Sequence, residues 1–312
     1  MKGPIVTITL SPCIDKSTRV DRFIPEKKLK CSYPILEAGG GGINVSKVLK
    51  NFRMPSRCIY VSGGYTGKLL DLLIYHEGLK AVPVISLSNT RENFIVFENQ
   101  THFQFRFGMP VNKLSRKEWK DVLVQMKKIK PSCVVLSGSV HADLENNFFT
   151  ELYAYIRKQR CCFIADTSGK ALQKIVATGA FLIKPNQNEF SALFGKQTLS
   201  VNAIIEKARA LVKKGKIQNI VVSLGKNGAV LVNKEEVYSF TPPDLEIKST
   251  VGAGDSMVAA IVYAMENGKS VVEAVRFGIA AGAATTINSG MRLCSLSGAR
   301  KLFSKVKVKT II

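Results

Sequence analysis

The sequence predicts an α/β fold: a mainly parallel central sheet with helices packed on both faces. Two observations carry this. Short apolar, strand-like runs alternate with helical patterns along most of the chain. The 312 residues, 46% hydrophobic, also supply enough apolar side chains for a large core. Sheets of this kind bind ligands at the carboxyl ends of their strands.

Residues 4–10 (Pro-Ile-Val-Thr-Ile-Thr-Leu) read as a buried first strand ending at Ser11-Pro12. Strand-like runs recur at 58–62, 81–85, 132–136, 162–166, 181–183, 219–224 and 229–232. Helical patterns lie between most of them, at 43–52, 66–77, 116–129, 144–159, 170–178 and 201–213. Two stretches break the alternation, at about 16–36 and 91–107. In the second, Phe94 to Phe97 and Phe103 to Phe107 flank a polar turn at 98–101, the pattern of a hairpin. Together the two stretches predict a small separate sheet inserted into a single domain spanning 1–312. Alternation of Phe103, Phe105 and Phe107 predicts one apolar face on that sheet, which must cover the site, pair with another subunit, or both.

The chain carries 45 Lys and Arg against 23 Asp and Glu, a formal net charge of +22. These cations are spread over polar helix faces such as 113–130 and 207–216, without aromatic interleaving or a nucleic-acid-binding motif. The charge therefore speaks to non-specific attraction and anionic substrates, and specific nucleic-acid recognition is not expected. No apolar run approaches the ~20 residues that cross a bilayer, and the N-terminus lacks the apolar core of a signal peptide. A cytoplasmic protein without a membrane partner is expected. Seven cysteines, odd in number and without a C-x-x-C pair, read as reduced structural thiols. His76, His102 and His141 are too dispersed for a metal site, and no serine carries G-x-S-x-G.

Four motifs carry the chemistry. Thr250-Val-Gly-Ala-Gly-Asp255 opens an apolar helix; Gly252, Ala253 and Gly254 leave first-turn N–H groups uncovered, and Asp255 is either a helix cap or a functional carboxylate. Gly39-Gly-Gly-Gly42-Ile-Asn44 leads directly into a helix, and four glycines in a row imply close approach to the backbone. It matches neither G-x-G-x-x-G nor a P-loop. Asn186-Gln-Asn-Glu189 follows a strand and presents oxygens suited to hydrated Mg²⁺, though a capping box explains it equally well. Ser223-Leu-Gly225-Lys-Asn-Gly228 joins two strands by a tight turn. A helix at 278–288 has a small-residue face that serves either close helix packing or an adenine slot.

In this order and combination, G-G-x-G-x-N, N-x-x-E, S-L-G-x-x-G and G-A-G-D resemble the PfkB, or ribokinase-like, carbohydrate kinases over nearly the whole chain. The resemblance implies a three-layer α/β/α sandwich with a small β-sheet lid, and ATP-dependent phosphorylation of a sugar phosphate. The basic pair upstream of the glycines points to the branch of the family acting on the 1-hydroxyl of fructose 6-phosphate. Kinases of tagatose 6-phosphate or fructose 1-phosphate are the alternative, and a non-catalytic sugar-phosphate sensor or nucleic-acid binder is the alternative of another class.

The resemblance also assigns roles. Asp255 is the base, with Gly252, Ala253 and Gly254 as the anion hole. Asp15, Gly40, Gly41 and Asn44 hold the sugar; Lys28, Lys30, Arg91 and Ser139 hold its 6-phosphate. Lys184, Asn186, Ser223, Gly225, Gly228 and Asn288 face ATP, and Asn186 and Glu189 hold Mg²⁺ through water. A homodimer joined through the lid sheets is implied. Two departures from the pattern stand out: Lys30 replaces an arginine, losing bidentate geometry, and Ser137-Gly-Ser139 is followed by Val140-His-Ala-Asp143 rather than L-P-P-G.

Overall fold

A computed structural model describes residues 3–288 and 292–311. Strand β1 (Ile5–Thr9) is buried along its whole length and lies inside a ten-stranded sheet. The chain then leaves this sheet for β2 (Cys13–Val20) and β3 (Ile35–Gly39), and returns to it with β4 (Ser56–Gly63) and β5 (Ala81–Ser86). It leaves again for β6 (Arg91–Glu98) and β7 (Gln104–Phe107). The strands β8 (Cys133–Ser137), β9 (Cys162–Asp166), β10 (Ala180–Ile183), β11 (Ile217–Ser223), β12 (Ala229–Val232), β13 (Val237–Thr241) and β14 (Lys307–Thr310) complete the main sheet.

Its order is β14-β13-β12-β11-β10-β9-β8-β1-β4-β5, parallel from β5 to β11 and antiparallel beyond. The chain builds outward from β1 to β5, then restarts on the other side of β1 with β8. This reversal opens a crevice at the carboxyl ends of β1 and β8.

Two helical layers cover the sheet. On one face lie α1 (Gly41–Asn51) and α2 (Gly64–His76). On the other lie α3 (Arg116–Ile129), α4 (Asn146–Gln159), α5 (Gly169–Thr178), the short α6 (Gln187–Ala192) and α7 (Val201–Lys213). The chain then returns to the first face with α8 (Ala253–Glu266), α9 (Val271–Thr286) and α10 (Leu296–Phe303). Alternation along the strands feeds both layers: Val6 and Ile8 join the α3–α7 core, while Ile5 joins the α8–α9 core. Helix α3 shows the local logic. Ser115 and Glu118 form a capping box, and Trp119, Val122, Leu123 and Met126 make one buried stripe.

The small sheet has the order β3-β2-β6-β7, with β2 parallel to β6 and β6 antiparallel to β7. Its first two strands span Cys13 to Gly39, wider than the stretch at 16–36, because β2 starts directly after Pro12, where Cys13 pairs with Gly39, and β3 runs straight into the glycine-rich turn. Its aromatic face differs from the expected one. Phe103 lies outside β7 and is 65% exposed. Phe105 stacks on Phe23 at 4.6 Å, and Phe94 stands opposite Phe107. The small-residue face of α9 packs on α8: a Cβ at Gly278 would lie 2.8 Å from Ile261 Cγ1, and one at Gly282 would lie 3.3 Å from the Ala253 carbonyl oxygen. Gly278 and Gly282 therefore serve the helix contact.

The turn between β11 and β12 depends on Gly228, whose φ is 91° and whose added Cβ would lie 1.8 Å from the Phe240 carbonyl oxygen. Gly228→Ala is expected to destabilise the fold by about 1–3 kcal/mol. Urea unfolding checks this, and an unchanged midpoint contradicts it.

Candidate active site

Helix α8 opens at Gly252, a left-handed residue with φ 71° that offers no side-chain cap. Asp255 sits in the first turn without capping its own helix. Its Oδ2 accepts a 2.9 Å bond from Asn44 Nδ2 on α1, and its Oδ1 accepts a 3.5 Å bond from Ser137 Oγ at the end of β8. The reading of Asp255 as a simple cap therefore fails: its carboxylate joins three elements across the crevice. The Ala253 N–H turns to the Thr250 carbonyl at 3.5 Å, whereas among the described residues the N–H groups of Gly254 and Asp255 have no partner, the pattern of a helix N-terminus suited to an anion.

Beneath this turn lies a charged pair. Lys184, 4% exposed at the end of β10, meets Asp166 Oδ1 of β9 at 3.1 Å. A Cβ at Gly254 would stand 3.5 Å from Lys184 Nζ and 4.0 Å from Asp166 Oδ2, which places the pair directly against the turn. Burial, reinforced by the Asp166 charge, pushes the Asp255 carboxyl up to about 6, against the opposing pull of Asn44, Lys184 and Ser137. Burial alone would lower Lys184, but the Asp166 carboxylate outweighs it and holds the ammonium charged.

The glycine run at the start of α1 brings backbone against this centre. A Cβ at Gly41 would lie 2.3 Å from Ser137 Oγ, and one at Gly39 would lie 2.2 Å from Asp15 Oδ2. Asp15 is oriented by Asn93 Nδ2, which donates to its Oδ1 at 2.9 Å. Arg91 donates to the carbonyls of Ser11 and Met109, while its buried Nε has no partner. Asp15, Gly40, Gly41, Asn44 and Asp255 thus come together, with Arg91 beside them on β6. Lys28 and Lys30 stand apart in the exposed 21–34 connection, and Ser139 is exposed in the loop after β8.

On the other side, Asn186 caps α6. Its Oδ1 accepts from the Glu189 N–H at 2.9 Å, and Glu189 Oε2 accepts from the Asn186 N–H at 2.8 Å. The capping box is real, and one Glu189 oxygen stays outside it. Burial raises the Glu189 carboxyl, and the neighbouring Asp166 charge raises it further. Two mutually repelling carboxylates beside a half-engaged amide fit a divalent cation held through its water shell. Among the described residues no three His, Cys, Asp or Glu side chains converge to bind a metal directly. Ser223 adjoins Asn186 through a single parallel bridge, with its N–H donating to the Pro185 carbonyl at 3.0 Å. Gly225 faces open space. Gly228 is committed to packing, and Asn288 Nδ2 donates to the Arg292 carbonyl at 3.1 Å.

Residues 5–297 match the model of the pfkB family carbohydrate kinases. The chain belongs to that family. ATP-dependent 6-phosphofructokinase isozyme 2 of Escherichia coli is 37% identical over 302 residues, 96% of this chain and 98% of the relative. A 1-phosphofructokinase of Borreliella burgdorferi is 33% identical over 309 residues, 98% of this chain and 99% of the relative. The crystal structure of E. coli phosphofructokinase-2 in complex with fructose-6-phosphate superposes with a TM-score of 0.89 at 35% identity, over 97% of this chain and 99% of that one. Arabidopsis thaliana ribokinase, 19% identical with a TM-score of 0.76 over 97% of this chain and 99% of that one, shares the fold.

Within this pfkB kinase, four contributors to the site escaped the sequence reading: Asp166, Ser137, Asn93 and Lys47. Asp166 ended a predicted strand at the sheet's carboxyl edge, a position that marks it as a candidate. Ser137 and Asn93 gave no signal, because their partners lie 118 and 78 residues away. Lys47 Nζ donates to the Ala38 carbonyl at 2.9 Å and pairs with Glu77 at 2.9 Å, tying the root of β3 to α1 and α2.

The raised Asp255 carboxyl has a stability consequence. The folded state binds its proton more tightly than the unfolded chain, whose value is near 3.8, so stability falls as pH rises from about 4 to about 6. Asp255→Asn is expected to raise the thermal midpoint above pH 6 and to leave it unchanged below pH 4. Thermal scans across pH check this; a gain independent of pH contradicts it.

Proposed function

We propose that this pfkB kinase transfers the γ-phosphoryl group of ATP to the 1-hydroxyl of fructose 6-phosphate, giving fructose 1,6-bisphosphate. One observation carries the chemistry: Asp255, raised to about 6, stands in the first turn of a glycine-opened helix, facing Lys184 and held by Asn44. A base near neutrality suits proton abstraction from an alcohol. The hydroxyl oxygen forms its bond to the γ-phosphorus, the bridging P–O bond to ADP breaks, and the hydroxyl proton passes to Asp255. Developing charge on the phosphoryl oxygens is met by the N–H groups of Gly252, Gly254 and Asp255 at the start of α8 and by Lys184, with Ala253 completing the turn.

Asn186 and Glu189 hold Mg²⁺ through water, and when bound the ion neutralises the nucleotide phosphates. Ser223 and Gly225 place the nucleotide along the ends of β10 and β11, with Gly228 shaping the turn that carries them and Asn288 nearby. Asp15, Gly40, Gly41 and Asn44 orient the sugar. Lys28, Lys30, Arg91 and Ser139 engage the 6-phosphate, which requires the exposed 21–34 connection to move over the crevice.

The whole chain acts as one kinase domain, with the small sheet as its lid. A second copy covers that sheet's aromatic face, where Phe23, Phe94 and Phe107 are 37%, 41% and 44% exposed. The alternative substrate reading, favoured by the resemblance to 1-phosphofructokinases, places the phosphate at the other end of the sugar.

Nucleotide consumption with Mg-ATP across fructose 6-phosphate, tagatose 6-phosphate, fructose 1-phosphate, fructose and ribose separates these readings. The expected result is highest kcat/KM on fructose 6-phosphate; preference for fructose 1-phosphate or a free sugar overturns the assignment. Asp255→Asn should keep ATP binding and lose at least ~10²-fold in kcat. Phe107→Asp should convert a dimer to a monomer by light scattering, and an unchanged mass would remove the lid sheet from the interface.

A further inference from the structure

The site uses only a small part of the +22 charge. Far from it, three helix ends on one face of the main sheet line up at the amino ends of the parallel strands. Helix α3 closes with Lys128 and Lys130, α4 with Lys158 and Arg160, and α7 runs into Lys214 and Lys216. Strand pairing sets their alignment: Cys133 stands beside Cys162, and Ala180 beside Ile217. All six cations are exposed, and none forms an ion pair among the described residues. The segments 124–130, 153–160 and 207–216 contain no acidic residue. Beyond α7, Arg209, Lys213 and Lys234 line a concavity of about 550 Å³.

Cations at helix C-termini are ordinary, because they oppose the helix dipole. The backbone beneath two of these is not. Lys130 has φ 53° and Arg160 has φ 50°, left-handed positions that usually fall to glycine. After α7 glycine does take that place, at Gly215, and there Lys214 and Lys216 flank it. The chain thus accepts strain at two helix ends and keeps a long cation at each, a departure from local preference that points to a use for the charge.

No large exposed hydrophobic residue lies in the last turn of these three helices, so the rim has nothing to insert between bases or into a bilayer. Along this edge the end of α5 lies between those of α4 and α7; it has no cation in its last turn, but Lys216 reaches over it and donates to the Ala177 carbonyl, so the cations follow the sheet edge as a line and not a plane. A line of exposed cations matches a phosphodiester backbone.

We infer that this rim binds the phosphate backbone of double-stranded nucleic acid without reading its sequence. Binding neutralises phosphates and releases counterions. It occupies the end of the sheet opposite the catalytic crevice, so phosphoryl transfer and nucleic-acid binding are independent.

Fluorescence anisotropy of a short labelled DNA duplex, titrated with the full chain, tests this. Affinity should fall about 10²-fold between about 50 and about 200 mM salt. The variant Lys130→Gly, Arg160→Gly, Lys158→Gln, Lys214→Gln should weaken duplex binding by about tenfold at low salt and leave kinase activity intact. Glycine relieves the left-handed strain, so this variant should fold, and its thermal midpoint checks that it does. A control with the same charge loss elsewhere, Lys117→Gln, Lys120→Gln, Lys301→Gln, Lys309→Gln, should stay within about twofold of the parent. Absence of salt-sensitive duplex binding, equal weakening by both variants, or binding to phosphatidylserine vesicles in place of the duplex would each overturn the inference.

Discussion

A single buried carboxylate organises this molecule. In the proposed reaction Asp255 must stay available as a base while surrounded by protein and close to a second carboxylate, Asp166. Left alone, such a group would take up a proton and lose its use. Asn44, Ser137 and Lys184 hold it near 6. Each comes from a different element, so the chemistry requires α1, β8, β10 and α8 to meet at one point. The reversal of strand order between β1 and β8 creates that meeting place, and the parallel sheet supplies two of the four elements, β8 and β10.

Glycine enters the same constraint as a spatial requirement. At Gly41 and Gly39 a methyl group would collide with Ser137 and Asp15 respectively. Backbone and functional side chains therefore interlock, and the N–H groups at the start of α8 face the crevice unobstructed. The lid strands are part of this arrangement: β2 carries Asp15, β3 leads into the glycine turn, and Lys47 fastens that root to α1 and α2. Movement of the lid is thereby linked to the groups that hold the sugar in the proposed reaction.

Much of this was legible in the sequence, for definite reasons. Strands buried on both faces, such as 162–166 and 229–232, are continuous apolar runs, and amphipathic helices such as 116–129 and 201–213 show their stripe and their caps. An element without a burial signal did not appear: β14 is exposed at every residue. Spacing marked Asp255, Asn44 and Glu189. It gave no sign of Ser137, Asn93 or Lys47, whose importance lies in contacts between distant segments. Asn186 and Glu189 show the converse: the bland reading, a capping box, is realised, and the same geometry leaves an oxygen free for a hydrated cation. Motif and structural element are here the same residues.

The central claim is that Asp255 titrates as the catalytic base, with its affinity for protons set by its neighbours. The pH dependence of kcat/KM for the parent and for Asn44→Leu tests it most directly. The parent should lose activity as pH falls below about 6, and removing the Asn44 hydrogen bond, which favours the charged carboxylate, should move that acidic limb to higher pH. An acidic limb that stays in place in Asn44→Leu, or a parent with no limb near 6, would contradict the account.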